Sequence, residues 1–134
     1  MATSPFDWIG YFELARDLAE RDKEACQRSS VSRAYYYVYN IALARAERNG
    51  FKVIQGESTH AQLWRLYSAS PEAQCSYLGQ IALRLKEKRE RADYRPLYPR
   101  IHEEVKGVLE DAQEFALRLD KLPPRFPNPK SVRS

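Results

Sequence analysis

The sequence predicts an all-α protein, a four- to five-helix up-down bundle. Three observations carry this. Ala, Leu, Glu, Lys, Arg and Gln dominate a chain without alternating strand patterns. Apolar residues recur at steps of three and four, which places them on one side of a 3.6-residue helix. The connections between periodic segments are short, which favours antiparallel neighbours.

The first helix is expected from about Pro5 to Lys23, with Pro5 in the first turn and Ser4 as cap. The second runs from about Ser29 to Asn49, with Val31, Ala34, Val38 and Ile41 on one face. Asn49-Gly50 stops it. After the loop FKVIQGE, Ser58 or Thr59 caps a third helix that ends near Tyr67. Ser70-Pro71-Glu72 opens a fourth, and its stripe Leu78, Ile81, Leu85, Arg89 continues to about Ala92. Pro96 and Pro99 break it. A fifth helix follows from about Pro99 to Lys121, with Ile101, Val105, Val108, Ala112, Phe115, Leu119 and Leu122 in register. Four prolines then lie within residues 122–130, so 123–134 reads as an extended, mobile tail after one domain of 1–122.

The 134 residues are 43% hydrophobic and 12% aromatic, which suits a single folded domain rather than a disordered chain. No apolar run approaches the roughly 20 residues of a membrane span, and the acidic start lacks a signal-peptide core. Cys26 and Cys75 are then expected to be reduced, in a cytoplasmic protein without contact with a membrane. They lie outside any metal spacing. Neither GxGxxG nor GxxxxGK[ST] occurs, so no metal or nucleotide cofactor is expected.

The net charge of +4 resides wholly in residues 121–134, through Lys121, Arg125, Lys130 and Arg133. The body is neutral but segregated: residues 25–65 and 84–100 each carry +4, while 1–24 and 101–120 carry −3 and −4. If the two basic segments face each other, a positive groove results that concentrates polyanions.

Several residues break the helical pattern. Arg89 stands where the fourth stripe needs an apolar side chain, with Asp93 four residues on. It is either a structural ion pair or a cation held to grip phosphate. Arg33, Tyr37 and Asn40 share one face of the second helix, while Tyr35 and Tyr39 flank its apolar side. They suit a core, a dimer interface or a base-stacking surface. His60 shares a face with Leu63, Trp64 and Tyr67, as a packing histidine does. Arg95 precedes His102 with six residues between, a pair able to hold a phosphate and shuttle a proton without metal.

In order along the chain, SVSRAYYYVYNIALA, STHAQLWRLY and LRLKEKRERADY resemble the signatures of the HEPN superfamily. The matching positions are Ser32, Arg33, Tyr35 and Tyr36, then His60, then Arg89, Ala92, Asp93 and Tyr94. The resemblance implies a helical bundle that forms a homodimer. It also implies a metal-independent endoribonuclease of toxin–antitoxin or phage-defence type, with RNA as substrate and a nucleotidyltransferase-type partner. The family pairs an arginine with a histidine across four to six intervening residues. Here Tyr94 stands at that distance from Arg89, and Arg95 with His102 is the alternative pair. For cleavage, Arg89 or Arg95 would hold the phosphate, His102 would transfer the proton and Tyr94 would position the 2′-hydroxyl. The other expectation is a non-catalytic HEPN module that binds nucleotide, RNA or a partner protein. Arg33, Tyr37, Asn40, His60, Arg89 and Asp93 would then supply the binding surface.

Overall fold

The computed structural model describes residues 5–131. They form α1 (Ile9–Ala19), α2 (Glu24–Arg48), α3 (Thr59–Ser68), α4 (Ala73–Tyr94) and α5 (Ile101–Lys121), with a 3-10 turn at Pro129–Ser131. No strand occurs among the described residues, and no helix there is long and apolar enough to cross a membrane.

Direction follows from the contacts. Ser30 donates to the carbonyl of Ala15, and Tyr37 packs on Phe12, so α2 runs antiparallel to α1. Arg28 reaches Ala92 while Arg89 meets Tyr35 and Tyr36, so α4 runs antiparallel to α2. Gln74 meets Arg118 and Arg84 meets Asp111, which reverses α5 against α4. α1, α2, α4 and α5 therefore alternate in direction. The short α3 lies across α2 in the same direction, His60 beside Tyr35 and Tyr67 bonded to the carbonyl of Ala42.

Local chemistry sets the element ends. At Asn49-Gly50 a full Schellman closure forms. Gly50 adopts φ +97°, its N–H meets the carbonyl of Glu47, and the N–H of Phe51 meets that of Ala46. Ser58, not Thr59, caps α3, accepting from the Ala61 N–H at 3.3 Å. Other boundaries differ from the sequence reading. α1 begins at Ile9, where Asp7 accepts the Ile9 N–H, so Pro5 lies outside it. The proposed cap Ser4 lies outside the described residues. α2 begins at Glu24, five residues before Ser29, since Lys23 holds the extended conformation that precedes a helix. α4 runs two residues past Ala92, and α5 starts at Ile101 rather than Pro99.

The stripes meet in one core centred on Trp64, Tyr35, Tyr67 and Phe115, all fully buried. Burying such rings is the main stabilising term of a domain this size. α4 approaches the end of α3 so closely that a Cβ on Gly79 would sit 2.7 Å from the backbone nitrogen of Ser68. Only glycine permits that contact.

The proline-rich segment does not extend away from the bundle over its first half. Arg45, buried on α2, donates to the carbonyls of Leu119 and Leu122 at the end of α5, and to those of Pro123 and Phe126. Asn49 donates to the carbonyls of Pro124 and Pro127. Leu122 and Pro127 are buried. Residues 122–127 thus close the bundle's end. Arg133 lies outside the described residues.

Candidate functional site

α2 and α4 bring the two basic segments together, and Arg89 lies at their seam. Its side chain is 9% exposed. The guanidinium sits 5.3 Å from the ring centres of Tyr35 and Tyr36 and 5.7 Å from that of Tyr94. Asp93 stands 3.5 Å away, and Ser32 donates to the same carboxylate oxygen at 3.2 Å. One terminal nitrogen donates to the Tyr94 hydroxyl at 3.5 Å. The Nε–H is buried without a partner. Burial opposes the charge, but Tyr36, Tyr94, Asp93 and Tyr35 outweigh it and hold Arg89 protonated. Cation–π attraction strengthens in such a desolvated setting.

His60 closes one side of this cage. Its ring stacks on Tyr39 at 4.1 Å and lies edge-on to Tyr36. The Trp64 indole N–H donates to the Tyr35 hydroxyl at 2.9 Å, and Tyr35 meets His60 Nδ1 at 2.6 Å. With the Tyr35 oxygen accepting from Trp64, a Tyr35 proton directed at Nδ1 gives every group of this relay a partner. Neutral His60 then carries its proton on Nε2, which has no partner among the described residues and is not sealed from solvent. Burial, then the charges of Arg89 and Lys86, depress the His60 pKa, and Glu90 only partly offsets them. Burial likewise raises Tyr35 and Tyr39, so both phenols stay protonated.

This depression has a sign. The unfolded imidazole takes up a proton near 6.5, the folded one only at lower pH. His60 therefore contributes stability above pH 6.5 that is lost as pH falls from there through the folded pKa. Urea midpoints at pH 7.5 and pH 5 should show a decline in the wild type that shrinks in His60→Phe. An equal decline in both would exclude His60 as its source.

The remaining sequence candidates divide. Arg33 and Tyr37 do not join Arg89. Arg33 lies over the ring of Tyr11, and Tyr37 packs on Phe12, so both face α1. The α-helical turn that aims Tyr35 and Tyr36 at α4 aims Arg33 and Tyr37 the other way. Asn40 donates to the Tyr36 carbonyl within its own helix. Arg95 and His102 are not opposed across the proline turn. Arg95 lines a pocket with Arg91, Arg100 and Glu104, whereas His102 Nδ1 meets the amide of Gln27 on α2 at 2.8 Å. Arg100 and Glu104 are one helical turn apart, and His102, between them, projects from the other side of α5.

Two other arginines escaped the sequence reading. Arg28 donates to the carbonyls of Ala92, Arg95 and Pro96 at the end of α4. Arg45 does the same at the end of α5. Arg45 was detectable by the signal that marks Arg89, since it replaces an apolar residue one turn beyond Ile41 and Ala42. Tyr39 and Trp64 join the His60 side of the cage through stacking and the indole relay. Among the described residues, no cluster of His, Cys, Asp and Glu is placed to hold a metal. A groove of about 620 Å3 between α4, α5 and Pro123 shares no lining residue with the cage. Compared with models of known families, with curated proteins and with solved structures, the chain finds no match.

Proposed function

We propose that this chain is a HEPN-like RNA-binding module whose anchor is the Arg89 cage. The observation that carries this reading is a protonated guanidinium held among three tyrosine rings, one of them the exposed Tyr94. Tyr94, 74% exposed, offers a ring on which a base stacks, worth about 1–3 kcal/mol. The Nε2–H of His60 and the cation behind Tyr36 attract phosphate and carbonyl oxygens.

Binding is favoured over cleavage because 2′-hydroxyl attack needs a base as well as an acid. His60 Nδ1 is occupied by Tyr35, and His102 faces Gln27. Cleavage stands as the second reading on one observation, that a hydrogen-bond donor (His60 Nε2–H) and an anion clamp (Arg89) flank the same tyrosines.

Fluorescence anisotropy with a short single-stranded RNA in EDTA tests both. The expected result is saturable binding that weakens with salt, about 0.7 log units per log of salt for each phosphate held, and intact RNA on a denaturing gel. Discrete products in EDTA would establish the nuclease instead. Binding independent of salt would remove the anion clamp.

A further inference from the structure

Asp93 brings a hydrogen-bond acceptor to the edge of the Arg89 cage, and half of that acceptor is unused. Oδ2 takes the cage's own donors, Nη1 of Arg89 at 3.5 Å and the hydroxyl of Ser32 at 3.2 Å. Oδ1 has no hydrogen-bond or ion-pair partner among the described residues, and the side chain is 30% exposed. A carboxylate offers lone pairs on both oxygens, so two contacts on one leave the other whole. Those two contacts come from different helices, Ser32 on α2 and Arg89 on α4. They fix the carboxylate before a ligand arrives, which lowers the ordering cost of binding.

The stacking ring stands next to this acceptor. The Tyr94 hydroxyl and Oδ2 of Asp93 each lie 3.5 Å from Nη1 of Arg89, so at most twice that distance separates them. A base stacked on Tyr94 can therefore bring its edge to Asp93. Proteins read unstacked RNA bases by this combination, an aromatic platform and hydrogen bonds to the Watson–Crick edge.

A lone carboxylate does not suit all four bases. Guanine presents two adjacent donors on that edge, N1–H and the 2-amino group. Adenine and cytosine each set a bare ring nitrogen beside their amine, and uracil sets its one N–H between two carbonyls. Those acceptors repel a carboxylate and leave it unpaired, whereas the guanine contact is charge-assisted. We propose that the Arg89 cage selects guanine in single-stranded RNA, with Tyr94 as its platform and Asp93 Oδ1 accepting from N1–H and the 2-amino group. This proposal rests on the RNA-binding reading and adds to it the choice of base.

Fluorescence anisotropy in EDTA, with the full chain and short uridine oligomers, tests it. Each oligomer carries one central guanosine, inosine or adenosine. The guanosine oligomer is expected to bind at least about tenfold tighter than the adenosine one. Inosine, which lacks only the 2-amino group, should fall between them. Asp93→Asn should bring guanosine and adenosine within about twofold, because an amide turns over to present either a donor or an acceptor. Circular dichroism checks that this variant keeps its helices. The comparison of bases on the wild type tests the proposal even if it does not. Equal affinity for all three oligomers in the wild type would overturn the choice of base and leave RNA binding standing. A guanosine preference that survives in a folded Asp93→Asn would overturn the assignment to Asp93. Absence of binding to every oligomer would overturn the RNA-binding reading, and this proposal with it.

Discussion

Arg45→Ala is expected to lower the folding free energy by about 4 kcal/mol, which equilibrium urea unfolding would read directly. The guanidinium satisfies four backbone carbonyls, at 2.8–3.0 Å, that end α5 and begin the proline-rich segment. Each acceptor left buried without a donor costs about 1–3 kcal/mol, and the partly buried ones fall at the low end. The total is a large share of the roughly 5–15 kcal/mol that holds a domain together. Arg45→Met should fare little better, because restored volume does not supply donors. A loss below about 1 kcal/mol in both would mean that water replaces the clasp.

Arg89→Met is expected to behave in the opposite way. Its effect on folding should stay within about 1 kcal/mol, while RNA affinity falls at least about tenfold. Arg89 is equally buried, but its neighbours are the faces of tyrosines, which accept a thioether as readily as a guanidinium. Its one carboxylate partner, Asp93, is 30% exposed and can be hydrated when the charge is gone. Replacing a buried charge by a hydrophobic residue of similar size is often neutral for that reason. What the variant loses is the cation behind the stacking surface. Unchanged RNA affinity would remove Arg89 as the anchor. Loss of several kcal/mol of stability would make it a structural clasp like Arg45.

The contrast between these two arginines shows how far a linear reading goes. Each interrupts an apolar stripe, and the interruption is visible in the chain. Whether the interruption is a clasp or an anchor depends on what lies opposite. Arg45 faces carbonyls 74–81 residues away, and Arg89 faces rings on another helix. The same limit separates His60 from a plain packing residue. Its place beside Leu63 and Trp64 is a matter of helical spacing, but its proton position follows from Tyr35, which is 25 residues away.

The periodic steps of apolar residues, the Asn49-Gly50 stop and the Ser58 cap were legible because they are consequences of interactions within one or two helical turns. The five helices and most of the buried face of α5 follow from them. The first turn of α2 was not legible, since Glu24–Arg28 carries no apolar stripe and is held by Arg28 reaching across to α4. Nor was the separation of Arg33 and Tyr37 from Arg89, or the return of residues 122–127 onto α2. Spacing along a helix says which side chains share a face. Which neighbour that face meets is set by register between segments far apart in the chain, and that register is chosen only when all the stripes are buried at once.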